Sequence, residues 1–163
     1  MSRSLARVEA ALAAAGIVPE IVACGEETRT AAQAAEQAGC APDQIVKSII
    51  FAGVASGRLY LFLTAGGNRV DGARASALAG EALGRADADR VRAETGFAIG
   101  GVAPVGHLSP LPVWLDLRLL DFDRVWAAAG TPRHIFAIDP HRLQALTGAA
   151  VAEFAVAEAS AGA

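Results

Sequence analysis

The segment from Gly96 to Pro112 restricts the fold of this 163-residue chain more than any other. Four glycines and a proline lie within residues 96–107, and two more prolines follow before residue 113. Glycine and proline at this density exclude a helix interior, and the residues between them are too apolar for a solvated linker. We therefore expect a loop that packs against the core of an otherwise regular fold.

Helix and strand patterns mix along the rest of the chain without strict alternation. Helices are predicted near residues 5–15, 31–38, 72–79, 88–95, 123–129 and 140–147. Strands are predicted near residues 19–24, 45–51, 58–64, 113–117, 134–138 and 151–156. This order predicts an α+β fold with a mixed, strongly curved, barrel-like β-sheet flanked by helices. We expect a single domain over residues 1–163, with residues 157–163 as a loose tail.

Composition and charge exclude several classes of protein. Apolar residues make up 53% of the chain and charged residues 19%, which excludes a disordered polymer. No apolar run approaches the roughly 18 residues that cross a bilayer, and the start of the chain lacks a signal-peptide core. The net charge of −3 excludes a strongly basic nucleic-acid coat but not a local basic patch. We therefore expect a soluble, cytoplasmic protein with no membrane or DNA partner.

Lys47 is the only lysine among fourteen cationic side chains, and it lies inside the apolar, β-branched run Ile45–Phe51. Burying an ammonium costs several kcal/mol unless an anion compensates it. One interpretation is an edge lysine whose amine reaches solvent along the strand. The other is an ammonium that projects from a rigid strand into a cleft, where it binds a phosphate, a carboxylate or a polarised carbonyl oxygen.

Gly100 and Gly101 form the centre of the glycine-rich segment. Glycine lets the backbone approach a ligand, and successive N–H groups can bind an anion or a developing oxyanion. A tight turn between core elements is the alternative interpretation. The spacing fits neither a phosphate-binding P-loop nor a dinucleotide-binding fingerprint, because no Gly-Lys-Ser/Thr follows and the segment runs into prolines.

The remaining reactive side chains give no sign of a metal centre or a nucleophile. His107, His134 and His141 are isolated from one another, and neither a zinc-binding helix nor a nucleophile elbow occurs. Cys24 and Cys40 are too few for a four-ligand zinc site or a disulfide framework, and are best interpreted as small buried hydrophobes. We expect no metal and no cofactor.

Three motifs together resemble the YbaK/prolyl-tRNA synthetase editing-domain family. They are Val46-Lys47-Ser48-Ile49-Ile50-Phe51, Arg69-Val70-Asp71 and Gly100-Gly101-Val102-Ala103-Pro104-Val105-Gly106-His107. The strand lysine and a Gly-Gly-x-x-Pro-x-Gly loop about fifty residues later are jointly much more specific than either alone. The similarity spans roughly residues 20–156, and the length resembles that of the freestanding members.

The resemblance implies trans-editing, the hydrolysis of the ester that links a wrong amino acid to tRNA. It places Lys47 at the terminal nucleotide or the aminoacyl group. Gly100 and Gly101 are then catalytic backbone groups, and Pro104 and Gly106 help to position the ester. Members commonly carry threonine or asparagine after the lysine, where this chain has the shorter Ser48.

Further contacts are implied around this centre. In an alanine-specific branch of the family a late histidine lies near the substrate, and His134 is the nearest match. His107 either takes part in catalysis beside the adenosine or hydrogen-bonds the loop. Because the chain is net negative, either Arg69 and Arg74 cluster at the cleft mouth to bind tRNA, or a synthetase delivers it.

The expected reaction is substrate-assisted, metal-free deacylation of tRNA-Pro carrying a small wrong amino acid such as alanine or cysteine. An aminoacyl ester is already activated, so orientation and one backbone donor can supply much of the rate. Prolyl-tRNA synthetase is a possible partner under this interpretation. The alternative is a non-catalytic regulatory module of the same fold that binds aminoacyl-tRNA or a nucleotide, whereas a small-molecule esterase lacks a nucleophile motif.

Overall fold

The computed structural model describes residues 2–28 and 30–158. Within these residues the helices are α1 (Arg3–Ala14), α2 (Ala31–Ala38), α3 (Gly72–Ala79), α4 (Ala88–Thr95) and α5 (Pro140–Thr147). The strands are β1 (Ile21–Ala23), β2 (Ile45–Gly53), β3 (Leu59–Ala65), β4 (Asn68–Val70), β5 (Leu83–Arg85), β6 (Val113–Asp116), β7 (Val125–Ala128), β8 (His134–Ile138), β9 (Ala150–Ala152) and β10 (Ala155–Ala157). Two short 3-10 helices span Pro42–Gln44 and Leu117–Asp121.

One large mixed sheet organises the described residues. Its hydrogen-bonded path runs β1-β8-β7-β2-β3-β6-β9, with β5 paired to β2 beside this path. The β2–β3, β7–β8 and β1–β8 pairs are antiparallel, whereas β2–β7, β3–β6 and β6–β9 are parallel. The path is open, with β1 and β9 at its ends, and β4 pairs with β10 separately. The expected α+β fold with a mixed sheet and flanking helices is confirmed.

The β2–β3 hairpin is the centre of this sheet. Every residue of β3 is buried, and the side chains of Leu61, Phe62 and Leu63 are fully enclosed. A strand flanked by partners on both edges and covered on both faces is expected to be a continuous apolar run, as the sequence from Leu59 to Ala65 is. The buried β3 therefore supports β2 from Val46 to Ala52.

The outer edge of β2 is shared between two strands and is uncovered between them. β7 pairs with Ile45 and Val46 at one end, and β5 pairs with the segment Phe51–Gly53 at the other. Among the described strands, none pairs with residues 47–50 on this edge. The sheet therefore has an opening beside Lys47, and this opening positions the candidate site.

Helix boundaries follow the capping signals of the sequence. Side-chain oxygens at the N-caps accept hydrogen bonds from the first turn of each helix, at Ser2, Thr30, Asp71, Asp87 and Asp139. Left-handed glycines end four of the helices, at Gly39, Gly80, Gly96 and Gly148. Such caps satisfy backbone groups that the helix leaves unpaired. No helix of residues 2–28 and 30–158 is both long and apolar enough to cross a membrane.

The helix predicted over residues 123–129 is wrong, because this segment contains strand β7. Its alanines favour a helix locally, but Val125 and Trp126 are buried between β2 and β8. Small side chains at Ala127 and Ala129 let the segment pack into the core, where both are almost fully enclosed. Tertiary packing has therefore overridden the helical propensity of alanine.

The strand predicted over residues 151–156 is divided into two strands that belong to different sheets. Phe154 lies between β9 and β10 and is fully buried, and its carbonyl accepts a hydrogen bond from Asp71 N at 2.8 Å. Ala157, predicted as the start of the tail, pairs with Asn68 at the end of β10. Residues 159–163 of the predicted tail lie outside the described residues. The short strands β4 and β5 were not predicted.

Candidate functional site

A cavity of about 600 Å³ lies beside the uncovered edge of β2. Lys47 and Ser48 contribute to its wall from β2, and Gly100 contributes from the glycine-rich loop. Thr28 and Thr30, the N-cap of α2, also line it. The lysine and one glycine of the sequence motifs therefore meet at a single cavity, although 53 positions separate them in the chain.

The Lys47 ammonium lies at the wall of this cavity, with its side chain 23% exposed. Its Nζ donates a hydrogen bond to the carbonyl oxygen of Asn68. The carboxylate of Glu158 lies 3.9 Å from the same nitrogen, and its side chain is 56% exposed. A carbonyl and a partly solvated carboxylate leave the ammonium capacity to bind another anion, because it has three donors.

The turn that carries the Asn68 carbonyl is fixed from behind by two carboxylates. Asp116 is 4% exposed, and its Oδ2 accepts hydrogen bonds from Asn68 Nδ2 at 2.9 Å and from Ala65 N at 3.0 Å. Asp43 accepts from Gly67 N at 2.8 Å and is paired with the Arg118 guanidinium. These contacts hold the backbone atom to which Lys47 binds.

The two central glycines have different surroundings. Gly100 lines the cavity and has a φ of +97°, a conformation that strains other residues. Gly101 N donates to Ala98 O at 3.0 Å, and a Cβ on Gly101 would lie 3.0 Å from the backbone of Thr131. Gly101 therefore uses its N–H within the loop and packs against the turn before β8, while Gly100 faces the cavity.

The end of the glycine-rich loop packs against α1. Pro104 is buried, and a Cβ on Gly106, whose φ is +80°, would lie 3.1 Å from the carbonyl oxygen of Arg7. Arg7 also donates to the carbonyl of Gly106 at 3.3 Å. Neither Pro104 nor Gly106 is among the described residues that line the cavity. They hold the loop in place from the side of the core.

His107 and His134 support the segments behind the cavity. A ring nitrogen of His107 is 2.7 Å from Ala103 O, and its ring packs edge-on against Phe97. Burial lowers the pKa of His107 below its ordinary value, so the neutral ring is favoured. His134 Nδ1 is 2.7 Å from the Thr131 hydroxyl. The lining formed by the described residues includes neither histidine.

The two arginines expected at the cleft mouth are not among the described residues that line the cavity. Arg69 is exposed on β4, where it pairs with Val156 of β10, and Arg74 is exposed on α3. Neither belongs to the cavity lining within residues 2–28 and 30–158. Both cysteines are free, and burial raises their pKa, so neither is a favoured nucleophile.

A second cavity of about 460 Å³ continues from the first along β2. Five residues line both cavities: Ser48, Ile49, Ile99, Gly100 and Val102. The second cavity extends towards β5 and is lined mainly by aliphatic side chains, together with the exposed Arg85. The two cavities form one bipartite cleft, and Ser48 lies where they meet.

Sequence patterns missed several residues of this cleft. Trp126 lines the first cavity from a segment predicted as a helix, and Glu158 lines it from the predicted tail. Thr28 carries no motif of its own, and the Thr30 side chain was recognised as a helix cap without an indication that it borders a cavity. The Asn68 carbonyl has no sequence signal at all, because any residue supplies a carbonyl.

Comparison with known proteins gives the family of this fold and its lysine–glycine cleft. A family model described as the aminoacyl-tRNA editing domain matches residues 25–157, so this chain belongs to that family. The match covers both the strand lysine and the complete glycine-rich loop.

Individual relatives agree with this family. One solved structure, described as a proposed trans-editing enzyme for prolyl-tRNA synthetase, is 49% identical with a TM-score of 0.87, over 94% of this chain and 97% of that chain. A second, from work on grafting epitopes onto scaffold proteins, is 45% identical with a TM-score of 0.88, over 97% of this chain and 100% of that one. The uncharacterized protein YwhH of Bacillus subtilis (strain 168) is 31% identical over 70% of this chain and 72% of its own length.

Proposed function

We propose that this chain is an aminoacyl-tRNA deacylase that acts in trans on mischarged tRNA. The observation that carries the proposal is the meeting of the Lys47 ammonium and the Gly100 backbone at one cavity beside an uncovered strand edge. A cation and a flexible glycine backbone are suited to an ester whose alcohol component carries phosphates. The cavity of about 600 Å³ is large enough for a terminal nucleoside with a small aminoacyl group.

The proposed reaction is attack of water on the ester carbonyl carbon. The bond between that carbon and the ribose oxygen breaks, the hydroxyl of the water stays on the carbon, and its proton goes to the ribose oxygen. The products are the free amino acid and a tRNA with a free terminal hydroxyl. Lys47 anchors the anionic or carbonyl end of the substrate, and the vicinal ribose hydroxyl helps to orient the water. Orientation of the reacting groups can contribute several kcal/mol to the lowering of the barrier.

We assign the backbone contact to the developing oxyanion to Gly100. The N–H of Gly101 already donates to Ala98, whereas Gly100 borders the cavity. One such donor contributes about 3–4 kcal/mol in related acyl-transfer sites. Gly101, Pro104, Gly106 and His107 then act by holding the loop in shape, and His134 by supporting the turn at Thr131.

The proposed substrate is tRNA-Pro carrying a small wrong amino acid, such as alanine or cysteine, in the cytoplasm. Support comes from the solved structure described as a proposed trans-editing enzyme for prolyl-tRNA synthetase. The net charge of −3 and the positions of Arg69 and Arg74 outside the cavity lining favour delivery by the synthetase over strong binding of free tRNA.

The test is a panel of tRNA-Pro charged with alanine, cysteine, serine, threonine or proline. Loss of ester from at least one mischarged tRNA, with prolyl-tRNA left intact, is expected. Lys47→Ala should lower the single-turnover rate by about 100-fold or more, and Arg142→Ala, at an exposed arginine of α5, serves as the matched control. Near-normal hydrolysis by Lys47→Ala would exclude the assigned role. Binding of aminoacyl-tRNA without ester loss would instead favour the non-catalytic module.

A further inference from the structure

Ser48 projects from β2 towards the apolar part of the cleft. Side chains alternate between the two faces of a strand, so Ser48 shares its face with Val46 and Ile50, which contact the main hydrophobic core. Lys47 projects to the other face, along with Ile49, which packs in a separate cluster. The opening between β5 and β7 therefore connects a charged side of the cleft at Lys47 with an apolar side at Ser48.

The backbone of Ser48 is also directed into this opening. Leu61 N donates to Pro112 O at 2.9 Å, so the hydrogen-bonding groups of Leu61 point away from β2. Ile50 is opposite Leu61 and Ser48 is opposite Leu63 in the antiparallel register. Pairs two residues apart are of the same type, so neither pair forms hydrogen bonds between β2 and β3. The N–H and C=O of Ser48 consequently point away from β3, towards the edge that no described strand covers.

The Ser48 hydroxyl is a buried polar atom without a partner. Among the described residues its Oγ is the one buried side-chain oxygen or nitrogen that makes no hydrogen bond. Buried polar atoms in native proteins are normally hydrogen-bonded, and an exception beside a cavity calls for a ligand or water as partner. Its position at the junction of the two cavities makes a bound substrate the natural partner.

The surroundings of this hydroxyl favour a neutral partner over a charged one. Ile49, Ile99 and Val102 line both cavities together with Ser48, and Val91 and Ala86 line the second cavity. An ammonium or a carboxylate would lose hydration there, whereas a hydroxyl needs only one good hydrogen bond. An aminoacyl ester held at Lys47 would direct its side chain past Ser48 into this apolar part.

We infer that Ser48 selects aminoacyl esters whose side chain carries a hydroxyl on the β-carbon, so that seryl-tRNA is preferred over alanyl-tRNA. This inference rests on the proposed function and specifies its substrate class. A neutral hydrogen bond made with an otherwise unpartnered buried group should favour the hydroxyl-bearing ester by about tenfold. The short Ser48 side chain leaves room for the substrate hydroxyl, which a longer side chain at this position would occupy.

The experiment compares kcat/KM for seryl-tRNA-Pro and alanyl-tRNA-Pro in the wild type and in Ser48→Ala. The wild type should prefer the seryl ester by about tenfold, and Ser48→Ala should reduce that ratio towards one by slowing the seryl reaction alone. Ser109→Ala, at an exposed serine outside both linings, is the matched control and should keep the wild-type ratio. The melting temperature of Ser48→Ala should match that of the wild type, because the hydroxyl holds no protein group.

Equal rates on both esters in the wild type would overturn the inference, and so would a Ser48→Ala variant that slows both esters by the same factor. Hydrolysis of either ester would leave the proposed function intact in these cases. If neither ester is hydrolysed, the remaining members of the mischarged panel decide the proposed function, and binding of the non-hydrolysable seryl and alanyl amides of 3′-amino-3′-deoxyadenosine decides the inference separately. Tighter seryl binding that is lost in Ser48→Ala supports it, and equal affinities refute it.

Discussion

Replacement of Asp116 by alanine should disrupt the lysine site from behind the cavity wall. The Asp116 carboxylate accepts from Ala65 N, from Asn68 Nδ2 and, through its other oxygen, from Arg118 N at 3.1 Å. A buried donor left without an acceptor costs about 1–3 kcal/mol. Because at least two donors lose their acceptor in Asp116→Ala, we expect a decrease of about 2–6 kcal/mol in the free energy of unfolding.

Asp116→Asn should be milder, because its amide oxygen can still accept from the β3–β4 turn while its NH₂ faces Arg118 N. That variant loses about one hydrogen bond, or about 1 kcal/mol. Asp121→Ala is the surface control, because Asp121 pairs with Arg118 while 58% exposed and should contribute less than about 1 kcal/mol. Denaturant unfolding of the three variants gives this order of stabilities directly.

The same variants report on Lys47 without any assay of activity. Lys47 is the only lysine, so an amine-reactive reagent followed by mass spectrometry reads its accessibility at one peptide. Asp116→Ala removes the acceptor that holds Asn68, so the Asn68 carbonyl should no longer bind the Lys47 ammonium. Labelling of Lys47 should then be faster than in the wild type at denaturant concentrations below the unfolding transition. If Asp116→Ala unfolds at the wild-type denaturant concentration, or Lys47 is labelled at the wild-type rate, the proposed support of the site by Asp116 is wrong.

Two further predictions concern pH. Hydrogen bonds from Ser56 and Tyr60 lower the pKa of Glu81 from near 4.5 to about 2. A lowered carboxyl pKa stabilises the fold above pH 4.5, and this contribution is lost as the pH falls towards 2. The difference in the free energy of unfolding between the wild type and Glu81→Gln should therefore shrink across that interval. A difference that stays constant would contradict the prediction. Burial lowers the pKa of His107, so stability should decline as the pH falls below about 6.5. His107→Gln should remove that decline and retain deacylation, whereas a large loss of rate in the folded variant would place His107 in the chemistry.

Local signals were sufficient for much of the fold. The capping box at Thr30 and Gln33 and the Asp139-Pro140 start of α5 satisfy backbone groups within a few residues, so their structural outcome does not depend on distant partners. The apolar runs of β2 and β3 likewise indicated strands from local sequence alone. The helix prediction for residues 123–129 was wrong because alanine is compatible with both a helix and a crowded strand. Only the packing between β2 and β8 decides between them.

The cleft was less predictable than the fold, because it forms only where β5 and β7 pair with the two ends of one edge of β2 and leave the middle uncovered. Lys47, Ser48 and Gly100 were identified from the sequence, and they line the cavity. The opening itself requires β7 at one end of β2 and β5 at the other, and the sequence patterns predicted neither strand. The two-residue alternation of β2 also carries no information about which edge remains uncovered.

The measurement that tests the central claim most directly is protection of Lys47 by a substrate analogue. The protein is treated with an amine-reactive reagent with and without a non-hydrolysable aminoacyl amide of 3′-amino-3′-deoxyadenosine, and the labelled Lys47 peptide is quantified. If the lysine and Gly100 bind the aminoacyl end of tRNA in one cavity, saturating analogue should strongly slow labelling of Lys47. Labelling at the same rate with the analogue bound would show that the ester lies elsewhere, and the proposed site would be wrong.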